Sequence, residues 1–284
     1  MGSRRLSGTL QKLLLPIFQR FNVGDITIRH PWTQDRLRLH SFIHKGYWFH
    51  GRSRNRGILE LLGALIGTGD CVLDLGGHIG YTAIYFSSLV GASGHVYVFE
   101  PDPDSLAYLR PNIASCARTN ITVVESAASD SSGFCTLFLD SVTGQNSTIV
   151  PEFKIRHLAG KLSTFSVRTT TIDEFVKENG IRPTFLTVDT EGAEAQVLTG
   201  MRETLANARP RLLVEISLNA SKVLSLLRAA DYEAYFDSGR PIRSADQLIN
   251  AQFVFAFHRV DSIARARFTE AITASQTIQN GLLL

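Results

Sequence analysis

A glycine-rich turn follows a short apolar run and precedes a stretch with helical spacing, in Cys71-Val-Leu-Asp-Leu-Gly-Gly-His-Ile-Gly80. A buried strand, a tight turn and a helix start of this kind open nucleotide-binding α/β folds. Gly76, Gly77 and Gly80 let the backbone pass close to a ligand where a Cβ atom would block it. The alternative interpretation is a glycine turn that serves the fold alone.

The residues around the first glycine indicate which nucleotide the turn binds. A dinucleotide fingerprint requires glycine at position 75, where this chain has Leu75. Asp74 directly before it would repel a pyrophosphate but suits a ligand that carries an ammonium and a sulfonium group. The turn therefore favours S-adenosylmethionine over NAD, with Asp74 among the cofactor-binding residues.

Other residues for the cofactor follow the next two predicted strands. Glu100 lies twenty residues after Gly80 and ends a buried strand, where its carboxylate can accept both ribose hydroxyls. Pro101 follows it at the same edge of the sheet. The turn Ser126 to Ala128, with Ala127 at its centre, is small enough to flank the adenine ring. A solvated strand end is the structural alternative for Glu100.

A second acidic cluster lies in the sequence Asp189-Thr-Glu-Gly-Ala-Glu194. Asp189 ends a predicted strand and is a candidate for contact with cofactor or substrate. If the substrate reacts through a hydroxyl group, a base must take its proton, because a neutral alcohol is a poor nucleophile. Asp189 or Glu191 is the predicted base, with His78 as a third candidate. Glu194 has a structural alternative, because acids in the first turn of a helix stabilise the helix dipole.

The elements that must position these residues alternate between strands and helices, which predicts a right-handed, mostly parallel sheet. Two late strands without a helix between them predict an antiparallel hairpin at its edge. The expected fold is α/β, a Rossmann-like seven-stranded sheet with an N-terminal extension. We divide the chain into an extension (1–56), a cofactor-binding domain (57–260) and a C-terminal helix and tail (261–284).

Composition excludes several classes of protein. The 284 residues carry a formal net charge of +3 and no long basic run interleaved with aromatics, so no nucleic-acid partner is expected. The histidines and the three cysteines show no metal-ligand spacing, so no metal is assigned. Cysteines in buried strands suit a reducing compartment, and no apolar run is long enough to span a bilayer, so a cytoplasmic location is expected.

The N-terminal segment predicts a helix with one apolar face, formed by Leu6, Leu10, Leu13 and Ile17. Basic residues beside this face would allow contact with a membrane surface. Packing on the domain or on a second copy in a homo-oligomer is the favoured interpretation.

Four motifs together resemble the FkbM family of S-adenosylmethionine-dependent methyltransferases. They are D-L-G-G-H-I-G-Y, V-F-E-P-D-P, V-D-T-E-G-A-E-A-Q-V-L-T-G and P-R-L-L-V-E-I, and the resemblance covers residues 57–217. It implies a class I methyltransferase fold and O-methylation of hydroxyls on sugars, glycans or natural products. Asp74, Gly76, Gly80 and Glu100 match the family's cofactor positions. Gly77-His78 departs from its usual alanine-asparagine.

Two other functions remain open at this point. A nicotinamide-dependent oxidoreductase would share the strand–glycine–helix architecture and the acid at Glu100. A cofactor-binding protein without turnover would keep the same residues and lack the chemistry.

Overall fold

The computed structural model describes residues 23–140, 146–153, 163–248 and 252–281. The predicted N-terminal helix and the last three residues of the predicted tail lie outside these ranges. So does most of the patternless stretch predicted over 148–162. Within the described ranges, no helix combines the length and the apolar character that crossing a bilayer requires.

Twelve strands are assigned in the described residues. They are β1 (Asp25–Arg29), β2 (Arg36–His40), β3 (Cys71–Leu75), β4 (His95–Phe99), β5 (Ile121–Val124), β6 (Ala127–Ala128), β7 (Gly133–Phe138), β8 (Thr164–Thr170), β9 (Phe185–Val188), β10 (Arg211–Ile216), β11 (Tyr232–Tyr235) and β12 (Gln252–His258). The α-helices are α1 (Lys45–His50), α2 (Arg56–Leu65), α3 (Tyr81–Val90), α4 (Pro103–Ala114), α5 (Ile172–Asn179), α6 (Glu194–Thr199), α7 (Arg202–Asn207), α8 (Ala220–Ala229) and α9 (Ser262–Gly281).

Seven of the strands form the main sheet in the order β11-β12-β10-β9-β3-β4-β5. The five strands from β10 to β5 run parallel, and β12 pairs antiparallel with both β10 and β11. The predicted fold class is therefore confirmed. The predicted edge hairpin has one added feature: its second strand, β12, lies between β10 and β11, so β11 alone forms the edge.

The core lies on both faces of this sheet. Successive side chains of a strand point to opposite faces, so Val72 and Leu73 belong to different apolar clusters. The cluster with Val72 is closed by α2, α3, α4 and α9, and the cluster with Leu73 by α5 to α8. Helices on both faces bury a parallel sheet completely, which explains why residues 72–75 of β3 and all of β9 are buried, including the polar Asp74 and Thr187.

A small sheet of order β6-β8-β7 lies beside the main sheet. Strand β7 pairs antiparallel with β8, and Ala127 of β6 pairs with Thr169 of β8. The strands that the sequence predicts around the long loop are therefore present. Their pairing places the turn Ser126–Ala128 at a defined position beside β5.

The N-terminal hairpin of β1 and β2 packs on the main domain. Leu37 and Leu39 are fully buried in the cluster that also contains Val72. The Arg38 N–H donates to Asn112 Oδ1 over 2.7 Å, and Asn112 Nδ2 donates to the Arg38 carbonyl over 2.9 Å. This segment thus shares the core of the cofactor-binding domain, whereas the division at residue 56 stays a prediction.

Candidate active site

A cavity of about 450 Å³ opens beyond the carboxyl ends of β3, β4, β9 and β10. This is the edge at which open α/β sheets bind ligands. The predicted site residues that line it are Gly76, Gly77, Glu100, Pro101, Ala127, Asp189 and Glu191. Asp74 and Gly80 do not line it. Most of the residues singled out from sequence are thus brought together in one place.

The glycine turn fits tightly against protein, while the close approach of its glycines to a ligand stays a prediction. Gly76 has φ of 98°, and a Cβ atom there would lie 1.8 Å from the Asp189 carbonyl oxygen. A Cβ on Gly77 would lie 2.0 Å from Val98 Cγ2, and one on Gly80 would lie 2.8 Å from Leu109 Cδ1. These three glycines therefore let the turn pack on its neighbours, and the packing in turn shapes the cavity.

Substitution of Gly76 tests this packing. We expect Gly76→Ala to lower the free energy of unfolding by more than about 3 kcal/mol, because a left-handed backbone and a backbone clash both oppose the methyl group. Gly180→Ala is the matched control: Gly180 has φ of 59° with no atom within 4 Å of the added Cβ. It should cost about 1 kcal/mol. Urea unfolding measures both, and equal losses would contradict the steric argument.

Asp74 lies beneath the turn and is bonded within the protein. Thr187 Oγ1 donates to its Oδ1 over 2.5 Å, and Thr82 Oγ1 donates to its Oδ2 over 2.7 Å. Burial raises the pKa of Asp74, and the two hydroxyls oppose that rise. The carboxyl group connects the ends of β3 and β9 to the first turn of α3. Direct contact of Asp74 with the cofactor stays a prediction.

Glu100 faces the cavity with each oxygen already accepting one backbone amide. The His78 N–H donates to Oε2 over 2.7 Å, and the Asp102 N–H donates to Oε1 over 2.8 Å. Burial raises the pKa of Glu100 to about 8. Each carboxylate oxygen can accept a second hydrogen bond, so the group retains capacity for two ribose hydroxyls. In this respect the residues fit an adenosine-containing cofactor.

His78 occupies a backbone conformation that explains the departure from alanine-asparagine. Its φ is 49°, a left-handed value that asparagine and histidine adopt more readily than most residues. That conformation aims the His78 N–H at Glu100. The His78 ring lies against α1, with Nδ1 2.9 Å from the Tyr47 hydroxyl.

Three carboxyl groups line the opposite wall of the cavity: Asp189, Glu191 and Glu215. Burial and the nearby Glu215 and Glu191 hold the pKa of Asp189 well above its ordinary value. Burial, together with Glu215 and Glu194, raises the pKa of Glu191 to about 8. An acid with a pKa near that of Glu191 can both give and take a proton near pH 7, which is the property that a catalytic base needs.

Glu194 has the structural role that the sequence left open. It is fully buried, it does not line the cavity, and its Oε1 accepts the Gly192 N–H over 2.8 Å. Ser217 Oγ lies 3.2 Å from both of its carboxyl oxygens. Glu194 therefore stabilises the turn that carries Glu191.

Glu215 is a cavity residue that the sequence did not single out, because one acid at the end of a predicted strand is a weak signal. Val188 of β9 pairs with Val214 of β10, so the next residues along, Asp189 and Glu215, lie side by side. The signal was present in the motif P-R-L-L-V-E-I. Recognising it required knowing that β9 and β10 are neighbours.

The N-terminal extension contributes further cavity residues. Of the aromatic and histidine-rich stretch 42–50, Tyr47 lines the cavity, whereas His44 is buried against Tyr108. Arg54 and Asn55 also line it. Nothing in the spacing of these residues points to a ligand. Among the described residues, no group of three or more His, Cys, Asp or Glu side chains is arranged to hold a metal ion.

The raised acid pKa values predict how stability varies with pH. Glu100 and Glu191 have ordinary pKa values of 4.5 and folded values of about 8. A raised pKa stabilises the fold below the unfolded value, and this stability is lost as pH rises through the folded value. Burial lowers the pKa of His30 and His44 to about 4, so those groups act below pH 6.5.

We therefore expect the cofactor-free protein to lose stability above pH 6.5. The free energy of unfolding should fall on the order of 1 kcal/mol per carboxyl group by about pH 8.5. Urea unfolding across this range measures the slope, and Glu100→Gln should reduce it. A flat or rising curve in the unsubstituted protein would contradict the burial argument.

The fold and site together define a class of protein: a Rossmann-like domain whose cavity, lined by a glycine turn and by carboxyl groups, suits S-adenosylmethionine. A sequence model of the methyltransferase FkbM domain matches residues 74–234, which is more than half of the chain. The chain therefore belongs to the FkbM methyltransferase family, as the motifs predicted. It is a methyltransferase whose cofactor is S-adenosylmethionine. Membership decides against the nicotinamide-dependent alternative.

Among curated proteins, the chain is similar to the 2-O-methyltransferase NoeI of Sinorhizobium fredii. The two are 28% identical over 185 residues, which span 59% of this chain and 75% of NoeI. Among solved structures, it is similar to methyltransferase FkbM from Methylobacillus flagellatus KT, with a TM-score of 0.43 and 18% identity. That match covers 67% of this chain but 44% of the other. A methyltransferase from Aquifex aeolicus gives a TM-score of 0.43 at 14% identity, over 76% and 97% of the two chains.

Proposed function

We propose that this protein transfers the methyl group to a hydroxyl oxygen of a small sugar, a glycan or a natural-product-like metabolite. The observation that carries the proposal is the position of Asp189 and Glu191, which line the same cavity as the glycine turn and Glu100. An alcohol must lose its proton during transfer, and these are carboxyl groups with raised pKa values. The similarity to NoeI, a 2-O-methyltransferase, supports an oxygen acceptor.

On this proposal, the cofactor lies across the sheet edge. Glu100 accepts the ribose hydroxyls, and Pro101 with the turn around Ala127 flanks the adenine. Ala127 is 6% exposed, and its small side chain leaves room for a flat ring. Gly76 and Gly77 form the floor, supported from beneath by Gly80 and Asp74. S-adenosylmethionine supplies a methyl group that is already activated by its sulfonium.

The acidic wall of the cavity, formed by Asp189, Glu191 and Glu215, then supplies the proton acceptor. A sulfonium beside Asp189 favours the ionised form of the carboxyl groups, because an opposite charge lowers the pKa of a buried acid. An ionised Glu191 or Asp189 accepts the proton of the acceptor hydroxyl as the oxygen attacks. His78 stays the third candidate, and its Nδ1 lies 2.9 Å from the Tyr47 hydroxyl. The cavity walls hold the two reactants together, which is the main contribution a protein makes to such a transfer.

The experiment is transfer of a radiolabelled methyl group from S-adenosylmethionine to a panel of monosaccharides, glycans and hydroxylated metabolites. Each acceptor is matched with an amino analogue in which one hydroxyl is replaced. Label on the hydroxylated members supports the proposal, and label on the amino analogues alone contradicts it. Tight cofactor binding with no transfer to any member would favour the cofactor-binding protein without turnover. A cytoplasmic location and a homo-oligomeric state stay predictions of the sequence.

A further inference from the structure

Among the described residues that line the cavity, Arg54 supplies the only guanidinium or ammonium group. The same lining contains five carboxyl groups: Glu100, Asp102, Asp189, Glu191 and Glu215. Arg54 lies outside residues 74–234, so the family match does not account for it. One basic side chain among these carboxyl groups, in the part of the chain that the structure describes, indicates a position where an anionic group of a ligand could bind.

Arg54 is held beside the glycine turn by stacking. Its guanidinium carbon lies 4.3 Å from the centroid of the Tyr47 ring. The Tyr47 hydroxyl is 2.9 Å from His78 Nδ1, and the His78 N–H donates to Glu100. Arg54 also opposes the rise that burial causes in the pKa of Tyr47 and of Tyr81. This charge therefore acts on the side of the cavity where the turn meets α3.

Arg54 has no carboxylate partner among the described residues. Other arginines in the described residues do form ion pairs, including Arg38 with Asp25, Arg118 with Asp35 and Arg211 with Asp70. Stacking on an aromatic face leaves the edge of a guanidinium able to donate two parallel hydrogen bonds to an anion. Arg54 thus retains its capacity for a carboxylate.

The cofactor has one group that the acidic cavity does not suit. Its ribose hydroxyls, sulfonium and ammonium favour acidic neighbours, but the carboxylate of its methionine portion would be repelled by an ionised Asp189. Binding of that carboxylate therefore requires a basic side chain that lines the same cavity. Arg54 also immediately precedes the N-cap of α2, a helix with no acid in its first turn, so the helix dipole adds a field of the same sign.

We propose that Arg54 binds the carboxylate of the methionine portion of S-adenosylmethionine. The assignment rests on the cofactor of the family and does not depend on which acceptor is methylated. It gives the N-terminal extension a part in cofactor binding: Tyr47 orients the guanidinium, and the guanidinium orients the tail of the cofactor.

Two ligands separate this role from a structural one. S-adenosylhomocysteine carries the carboxylate, and 5′-methylthioadenosine keeps the adenosine and the sulfur but lacks the amino-acid tail. Isothermal titration of both ligands compares the unsubstituted protein with Arg54→Gln. We expect the substitution to weaken S-adenosylhomocysteine binding about 10- to 100-fold and to leave 5′-methylthioadenosine within about twofold.

Arg52→Gln is the matched control. Arg52 is also stacked on an aromatic ring, that of Trp32 at 4.7 Å, but it does not line the cavity. Its substitution should leave both affinities unchanged. Unaltered binding of 5′-methylthioadenosine by Arg54→Gln shows that the site is folded.

Two results would contradict the role of Arg54 without affecting the proposed function. One is an equal loss for both ligands, which indicates a structural role. The other is unchanged S-adenosylhomocysteine binding, including the case in which only the affinity for a methyl acceptor falls. Failure of the unsubstituted protein to bind S-adenosylhomocysteine would instead contradict the cofactor, and the proposal with it.

Discussion

Single-turnover methyl transfer is expected to fall about 10²- to 10⁴-fold in Glu191→Gln or in Asp189→Asn, whichever substitution removes the base. Both substitutions keep the shape of the side chain and remove its ability to take a proton. Cofactor affinity should stay within about tenfold, because the loss concerns the proton of the acceptor. Rapid-quench measurement with labelled cofactor, at saturating acceptor, isolates this step from product release.

The pH dependence distinguishes the two candidates. A base must be ionised, so the rate should rise with pH until the carboxyl group is deprotonated, which for Glu191 is near pH 8 in the free protein. The substitution that removes the base should also remove this dependence. Glu125→Gln is the control: Glu125 also follows a strand, but it pairs with the exposed Arg110 and does not line the cavity. Near-normal rates in both Glu191→Gln and Asp189→Asn, with intact cofactor affinity, would contradict the assignment of either residue as the catalytic base.

The second large effect is expected at Glu100, where Glu100→Gln should weaken S-adenosylmethionine binding about 10- to 100-fold. The amide has one acceptor oxygen where the carboxyl group has two, so it can no longer accept both ribose hydroxyls in the same way. It also turns an NH₂ group toward the backbone N–H of either His78 or Asp102, where a carboxylate oxygen now accepts. The same titration should show little discrimination against a 2′-deoxyribose analogue of the ligand in the variant.

Two comparisons keep this result interpretable. Glu125→Gln makes the same chemical change outside the cavity and should bind the cofactor normally. Thermal unfolding of Glu100→Gln establishes that the protein is folded at the temperature of the titration. An unchanged dissociation constant in folded Glu100→Gln would contradict the ribose assignment.

The parallel part of the sheet could be predicted because four of its five strands, β3, β4, β9 and β10, are each followed by a helix, which leaves few topologies. The position of β12 could not. Its residues are as apolar as those of a central strand, but the choice of pairing with β10 as well as β11 depends on contacts between distant segments. Local pattern therefore identified the hairpin without fixing its place in the sheet.

The cavity shows the same limit. Acids at strand ends were visible in the sequence, and Glu100, Asp189 and Glu191 do meet in one cavity. The strand order decides which of the remaining acids line the cavity. Glu215 lines it. Asp74 does not, and it accepts a hydrogen bond from Thr187, 113 residues away. The close approach of Gly76 to Asp189 was hidden for the same reason, because it joins two strands far apart in the chain.

The most direct test of the central claim is the position of the transferred methyl group. Carbon-13 methyl-labelled S-adenosylmethionine is incubated with an accepted substrate, and NMR spectroscopy of the product identifies the atom that carries the label. We expect one label on a hydroxyl oxygen for each S-adenosylhomocysteine formed, and no label in the Glu191→Gln and Asp189→Asn double variant. Label on nitrogen or carbon, or undiminished transfer by that variant, would contradict this claim.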